Sequence, residues 1–192
     1  MTRRCEWATK SEREQLYHDT IWGVPVHDDK QLFKMLLLEG QQAGLSWSTI
    51  LNKMDTLCDA YDNFDPSFLR NYDDAKIAEL LQNSGVIRNK LKVKAAIKNS
   101  DTYFAICEEF GTFDTYIWQF SDGKIIKNNW ENQSQIPAHS TLSDAMCKDL
   151  KRRGFSFVGG TITYAFMQSI GMVNDHMTWC DFRDASERGS AA

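Results

Sequence analysis

Two histidine and cysteine pairs near the ends of the chain have the chemistry of metal ligands. His176 and Cys180 lie four residues apart in "DHMTWC", and twelve residues separate Cys5 from His18. If the first segment is helical, its two ligands project from one face. Two thiols and two imidazoles form the set that structural zinc prefers, with no position left for a catalytic water. We predict a zinc clamp of one ion that joins the termini; the alternative is a hydrogen-bonded histidine beside a small buried thiol.

The other cysteines and the composition limit the class of protein. Five cysteines at irregular spacing, without an apolar leader in "MTRRCEWATK", argue against a disulfide framework. Cys58, Cys107 and Cys147 lie in apolar helical patterns and are interpreted as core thiols. No run reaches the ~18 apolar residues of a membrane span. We therefore expect a cytoplasmic protein, monomeric and without membrane contact.

A carboxylate sits in the most chemically suggestive stretch, "LEGQQAGLSWST" at residues 38–49. Glu39 follows an apolar helical segment and precedes two glutamines, a glycine and Trp47. This order predicts a carboxylate carried into a partly buried, aromatic environment, where perturbed ionisation is typical of functional groups. The alternative is that Glu39 ends the helix in solvent while Trp47 packs in the core.

The elements that must position these residues are predicted to be helices. Apolar residues recur mainly at helical spacing, Asp28 is a candidate cap, and Asp65 with Pro66 indicates a helix start. "SDGK" at 121–124 is the one hairpin-type turn, so strands should be few. We predict an all-α fold of about eight or more short helices. Residues 1–182 would form one compact domain, and residues 183–192 a flexible tail.

Two segments are basic although the net charge is −4. "RNKLKVKAAIK" (88–98) follows "LLQNSGVI", a helix expected to end at Gly85, and "KDLKRRGF" covers 148–155. A tight helical hairpin near 80–98 would present the backbone amides of its second helix to phosphate. Solvated helix faces without a ligand are the alternative.

Longer motifs resemble a known family. The stretches are "CEW", "YHDTIWGVPVHDD", "LFKMLLLEGQQAGLSWSTIL", "GVIRNKLKVKAAIKN", "LKRRGFSFVGGTITYAFMQSIGMVNDH" and the final Cys180. In this order, from about Cys5 to Cys180, they resemble the DNA-3-methyladenine glycosylase I family of bacterial alkylation-repair enzymes. The resemblance implies a helix-hairpin-helix architecture with two helical lobes around a base pocket. It also implies a structural zinc on Cys5, His18, His176 and Cys180.

The same resemblance implies a substrate and its contacts. The substrate would be 3-methyladenine in double-stranded alkylated DNA, flipped out and excised to leave an abasic site. The residues that match its base contacts are Tyr17, Glu39 and Trp47, with Trp7 and Trp22 as further pocket walls. Glu39 is the predicted catalytic residue.

Contacts to DNA complete the predicted site. Leu45 is the candidate wedge that fills the gap left by the base, although a core leucine is the alternative. The hairpin contacts would be Gly85, Arg88, Lys90 and Lys92. These lysines, with Lys94, are interpreted as phosphate ligands, because a lyase lysine must be desolvated. Asp101 lies too close to the hairpin to match the catalytic aspartate of related glycosylases, so the reaction should be monofunctional hydrolysis.

Two other functions remain open at this point. One is a helix-hairpin-helix glycosylase for oxidised or mismatched bases, which usually pairs a hairpin lysine with a later aspartate. The other is a protein that binds the lesion without cleavage. Release of free base from methylated DNA distinguishes all three.

Overall fold

The structure is a computed structural model that describes residues 2–184. Nine α-helices occupy this part of the chain. They are α1 (Glu12–Thr20), α2 (Asp29–Gln42), α3 (Trp47–Ala60), α4 (Pro66–Leu69), α5 (Asp74–Gln82), α6 (Lys90–Phe110), α7 (Phe113–Trp118), α8 (Thr141–Arg153) and α9 (Gly160–Ser169). Short 3-10 helices lie at Glu6–Thr9, Asp62–Phe64, Gln119–Ser121 and Gln133–Gln135. The predicted helical class and helix number are confirmed; the division into two lobes stays a prediction.

Local sequence signals explain where the helices begin. The Asp28 carboxylate accepts a hydrogen bond from the Gln31 amide and caps α2, as predicted. Asp65 caps α4 in the same way, and Pro66 occupies its first turn. The Ser46 hydroxyl caps α3, so the four residues between α2 and α3 form a short loop. That loop separates the two helices that carry Glu39 and Trp47.

The β structure is limited, within residues 2–184, to one pair of two-residue strands. Strand β1 (Ile126–Lys127) pairs in parallel with β2 (Val173–Asn174). The prediction that strands should be few is confirmed, although "SDGK" does not close a hairpin: the turn follows the 3-10 helix Gln119–Ser121, with left-handed backbone at Asp122 and a positive φ at Gly123. Its following strand pairs with a distant segment, which only the tertiary fold brings near.

Two further expectations are wrong: the residue at which α5 ends, and the placement of Arg183 in a flexible tail. Helix α5 ends at Gln82, three residues before the predicted Gly85. Arg183, placed in the flexible tail by the sequence, is buried, and its guanidinium donates to the His176 carbonyl and to Asn129 Oδ1. Residues 185–192 of that predicted tail lie outside the described residues. No helix in the described part of the chain is long and apolar enough to cross a membrane.

Candidate active site and metal cluster

A cavity of about 290 Å³ lies between the first three helices and α9. This volume is close to the ~300 Å³ at which small-molecule sites begin. The five residues predicted to contact the base all line it: Trp7, Tyr17, Trp22, Glu39 and Trp47. The structure therefore brings together side chains that are up to forty positions apart in the sequence.

Glu39 is the only carboxylate among the described residues that line the cavity. Its side chain is buried, and Oε2 has no hydrogen-bond partner. Burial raises the pKa of Glu39 to about 8, and a hydrogen bond with Ser169 acts in the opposite direction. A buried acceptor without a partner is costly. A ligand that supplies a hydrogen-bond donor, a positive charge or both would remove this cost.

Aromatic rings form two adjoining walls of the cavity. Tyr17 of α1 and Trp47 at the start of α3 have ring centroids 5.2 Å apart at an interplanar angle of 54°. Trp7 and Trp22 meet edge to face, with centroids 5.0 Å apart. Burial, and then the charge of Glu39, raise the pKa of Tyr17 well above its usual value, so the phenol stays neutral. Ring faces of this kind can stack on a planar base, and they favour a positively charged one.

A second group of residues that line the cavity was not predicted from the sequence. Gln168 and Ala165 of α9 line the cavity together with Gln42, Gln133 and Ile136. The Gln168 amide donates to the buried carboxylate of Asp175 at 2.8 Å, as the Tyr164 hydroxyl does at 2.7 Å. This network holds the Gln168 side chain in one orientation. The spacing of Ala165 and Gln168 on one helical face was the available signal.

Three of the four predicted metal ligands form a buried cluster. The ligand atoms of Cys5, His18 and Cys180 all lie within 4.8 Å of one another. The His18 Nε2 atom is 3.6 Å from the Cys180 sulfur. His18 also contacts the Asp19 carboxylate through Nδ1 at 2.8 Å, which leaves Nε2 directed at the thiols. A carboxylate behind a ligating histidine is the usual arrangement in metal sites.

His176 lies beside this cluster with a free nitrogen. Its ring centroid is 4.9 Å from that of His18, and its Nδ1 is 3.1 Å from Asn174 Oδ1. The buried Nε2 has no hydrogen-bond partner. Burial lowers the pKa of His176 to about 3, so the ring is neutral, as a metal ligand must be. The donor set thus fits a tetrahedral zinc ion.

The local structure around His176 and Cys180 differs from the prediction. The segment that contains them is not helical: it follows β2, and residues 175–177 have no regular structure. A turn at residues 178–179 brings Cys180 back toward the start of the chain instead. The Met177 amide donates to the Cys5 sulfur at 3.5 Å, which fixes this approach. The spacing of four residues therefore does not reflect a shared helical face.

The two thiols of the cluster are electrostatically coupled. A hydrogen bond from Cys5, together with His18, lowers the pKa of Cys180, while the same bond and burial raise the pKa of Cys5. A divalent ion would stabilise both as thiolates.

The cysteine and histidine cluster packs directly against the cavity wall. The Trp22 ring centroid is 4.6 Å from that of His176 and 5.9 Å from that of His18, and Trp7 contacts His18 at 5.4 Å. In addition, Tyr17 and His18 are neighbours on α1. Two of the aromatic side chains that line the cavity, Trp7 and Trp22, thus pack against the histidines of this cluster.

The basic segment begins in a seven-residue connection (83–89) between α5 and α6 and continues into α6, and none of its residues lines the cavity. Arg88 in the connection and Lys90 at the start of α6 are exposed. Lys92 is not: its side chain is buried, and its amine donates to the Gln41 carbonyl at 2.7 Å and the Ala43 carbonyl at 2.8 Å. These contacts correct the predicted role of Lys92 as a phosphate ligand. Burial also lowers the pKa of Lys92.

The backbone of the connection is largely engaged within the protein. The Gly85 amide donates to Asn83 Oδ1, so it is not the free donor that the prediction assumed. The amides of Leu91 and Lys92 donate to Asn89 Oδ1, which caps α6. A Cβ at Gly85 would approach Thr56 to 3.0 Å, which explains the glycine by packing. The exposed side chains of Arg88 and Lys90 are therefore the remaining candidates for phosphate contact in this segment.

The candidate wedge residue, Leu45, lies at the surface. Leu45 lies in the loop between α2 and α3 and is 40% exposed, so the alternative of a core leucine is wrong. It directly follows Gly44, whose φ of +79° favours glycine.

Asp101 is exposed on α6 and pairs with Arg70 at 3.3 Å. Asp101 does not line the cavity, consistent with its exclusion from catalysis.

Comparison with known proteins identifies the family. A family model described as methyladenine glycosylase matches residues 7–184. The chain belongs to the methyladenine glycosylase family. A DNA-3-methyladenine glycosylase of Haemophilus influenzae is 41% identical to this glycosylase over 180 residues, which cover 94% of this chain and 97% of the relative. The predicted family and enzyme class are confirmed.

Solved structures of 3-methyladenine DNA glycosylase I have the same fold as this methyladenine glycosylase. One crystal structure superposes with a TM-score of 0.90 at 41% identity and covers 93% of this chain and 98% of that one. A variant solved in complex with 3-methyladenine also has a TM-score of 0.90, at 30% identity, with coverage of 94% and 97%. The family model spans residues 7–184, which include every residue that lines the cavity.

Proposed function

We propose that this chain excises 3-methyladenine from double-stranded alkylated DNA by hydrolysing its N-glycosidic bond. The observation that carries the proposal is the buried Glu39 carboxylate, without a partner for Oε2, in a cavity walled by aromatic rings. Membership of the family and the complex of a relative with 3-methyladenine support the choice of base. The reaction is monofunctional and leaves an abasic site.

The glycosidic bond of 3-methyladenine is already weakened by the charge on the base, so the enzyme's main task is to recognise and extrude that base. Methylation at N3 gives adenine in DNA a positive charge, so the bond electrons move to the base as it departs and neutralise it. A water molecule adds to the sugar carbon and releases a proton. The enzyme must extrude the base from the stack, which costs a few kcal/mol. A pocket that prefers a cation selects the lesion over ordinary adenine.

Glu39 recognises the amino group and the charge of the base, and the aromatic rings recognise its face. The Glu39 carboxylate accepts a hydrogen bond from the exocyclic amino group, and its negative charge complements the cation. Tyr17 and Trp47 stack on the base, where a ring face favours a cation by ~0.5–2 kcal/mol. Trp7 and Trp22 close the cavity. Binding of the cation favours the ionised form of Glu39, which burial alone disfavours.

The ionisation of Glu39 predicts a rise of activity with pH. Because the pKa of this acid is raised to about 8, the carboxylate form increases as the pH approaches 8 from below. We expect kcat/KM for excision to rise about tenfold per pH unit between pH 6 and 7.5 and to level off above pH 8.5. Initial rates of base release across this range measure it. A flat profile would contradict a role for ionised Glu39.

We further propose that Cys5, His18, His176 and Cys180 hold one structural zinc ion. The mutual approach of three ligand atoms and the unpartnered Nε2 of His176 support this assignment. Four protein ligands leave no open position on the ion, so it takes no part in the hydrolysis. Its contribution is to tie residues near both ends of the described chain and to hold Trp22 in the cavity wall.

DNA contacts follow from the exposed side chains. Arg88 and Lys90 of the hairpin bind backbone phosphates. Leu45, exposed at a loop beside the cavity-lining Gln42, enters the stack as the base leaves. This surface needs only local positive charge, which is compatible with the net charge of −4.

Release of free base from methylated DNA tests the proposed function. The purified protein is incubated with methylated duplex DNA, and released bases are separated by chromatography. We expect 3-methyladenine as a product and intact abasic strands until alkali is added. No free 3-methyladenine would refute the proposal, and strand cleavage without alkali would refute monofunctional hydrolysis.

Shortening the proposed wedge should reduce excision without affecting the cavity. Leu45→Ala removes the side chain that stabilises the gapped duplex, a contribution of about 1–2 kcal/mol, so we expect excision to fall about tenfold. Affinity for free 3-methyladenine, measured by tryptophan fluorescence, should stay unchanged. Leu16→Ala, at an exposed leucine of α1 that does not line the cavity, is the control. Equal losses in both variants would exclude a wedge at Leu45.

A further inference from the structure

Lys92 is a buried cation that the proposed reaction does not use. It lies in the first turn of α6, where its neighbours Lys90 and Leu91 are exposed, yet its own side chain points into the protein. The amine donates to the carbonyls of Gln41 and Ala43, at 2.7 and 2.8 Å. The adjoining space is about 10 Å³, no more than one water molecule occupies. The Lys92 residue is 4% exposed, so little of it is accessible to phosphate or bulk solvent.

The two carbonyls belong to the end of the helix that carries Glu39. Helix α2 ends at Gln42, and the last carbonyls of a helix have no partners within it. Lys92 supplies those partners from a helix about fifty positions further along the chain. Its positive charge also complements the negative end of the helix dipole. The end of α2 is therefore held by the hairpin helix.

This contact connects two parts of the proposed site. After Ala43 the chain passes through Gly44, at a φ of +79° and with no atom within 4 Å of the place a Cβ would take, to the exposed Leu45. The other hydrogen bonds of the loop are local: the Leu45 amide donates to the Gln42 carbonyl at 2.7 Å, and the Ser46 hydroxyl caps α3. Lys92 anchors its first residue, and the amide of Lys92 is part of the capped turn that follows Arg88. The hairpin and the loop thus share one side chain.

We propose that Lys92 is a positioning residue that fixes the loop of Leu45 relative to the DNA-binding hairpin. The inference rests on the proposed function, since it concerns the excision of a base from DNA. The contact made by Lys92 fixes the distance between the hairpin, which binds the phosphates, and Leu45, which fills the gap in the stack. Loss of the amine leaves the base cavity intact but lets the loop move relative to the bound duplex.

Lys92→Met tests this role because it keeps the length of the apolar stem and removes the donors and the charge. We expect single-turnover excision from methylated duplex DNA to fall at least tenfold at saturating enzyme. Affinity for free 3-methyladenine should change less than twofold. Lys98→Met is the matched control, since Lys98 is an exposed lysine of the same helix, and it should excise at the wild-type rate.

The salt dependence separates positioning from phosphate binding. A phosphate ligand contributes about one unit to the slope of log affinity against log salt concentration. We expect the slope for undamaged duplex to be the same for Lys92→Met and wild type. A slope reduced by about one, or wild-type excision by the variant, would overturn the inference.

A double-mutant cycle and a loop measurement complete the test. If Lys92 acts through the loop, its substitution should add little to the loss caused by Leu45→Ala, whereas additive losses contradict the inference. Amide hydrogen exchange at residues 43–46 should be faster in Lys92→Met than in Lys98→Met. If wild-type protein releases no base, the proposed function fails, and the exchange result alone still decides whether Lys92 anchors the loop. Should Lys92→Met not fold, Lys92→Gln, which keeps one donor, replaces it with a smaller expected loss.

Discussion

Glu39→Gln should excise 3-methyladenine about 100-fold more slowly than the wild-type protein. The amide keeps the volume of the side chain but has no negative charge to complement the cation. It also exchanges a charge-assisted hydrogen bond, at about 1.5–3 kcal/mol, for a weaker neutral one. A 100-fold loss corresponds to about 2.7 kcal/mol. Single-turnover release of base from methylated DNA measures the effect.

The fold of this variant should be preserved, and its stability gives the control. Because the pKa of Glu39 is raised by burial, the folded state binds more protons than the unfolded state between about pH 4.5 and 8. Ionised Glu39 therefore lowers the stability of the wild-type protein as the pH rises through this range. Glu39→Gln should be at least as stable as wild type at pH 8 by thermal unfolding. Wild-type excision by a folded variant would refute the role of Glu39.

Loss of the zinc clamp should destabilise the protein more than any surface substitution. Cys180→Ser removes one of the four proposed ligands, and structural zinc contributes several kcal/mol to folding. For a chain of this length, about 5 kcal/mol corresponds to a fall in Tm of roughly 10–20 °C. We expect purified wild-type protein to contain about one zinc per chain, and the variant much less. Metal analysis and thermal unfolding measure both.

A second thiol provides the matched control for the clamp. Cys58 lies on α3, outside the described ligand cluster, so Cys58→Ser should retain zinc and lose little stability. Because Trp22 packs on His176, removal of zinc by a chelator should also weaken binding of free 3-methyladenine. A metal-free wild-type protein with an unchanged Tm would contradict the clamp.

The helical class and several helix starts were predictable because their causes are local. Asp28, Asp65 and Pro66 act on the backbone within three or four residues of themselves, and the sequence contains all of that information. The "SDGK" turn does not join two paired strands, and the sequence could not show this because strand pairing is not local. A turn signal reports backbone bending, but whether a strand pairs with its neighbour or with a distant segment depends on long-range packing.

The cavity residues were predictable only in part. Side chains with evident chemistry, such as Glu39 and Trp47, attract notice in any sequence, and the family motifs identified their companions. Gln168 did not stand out, because its role depends on Asp175 and on an approach of α9 that no local pattern encodes. Leu45 could be core or wedge until its exposure was known.

By itself, the sequence determined which residue types are present at which intervals, and this sufficed for the family, the helical class and the candidate ligands. Only the tertiary structure decided which of the basic residues face solvent: Lys92 and Arg88 belong to one charged run, yet one caps a helix end and the other is exposed. It also decided that His176 packs against Trp22 and hence against the cavity wall. The physical reason is that burial and contact depend on segments far apart in the chain, whereas propensity and spacing are local.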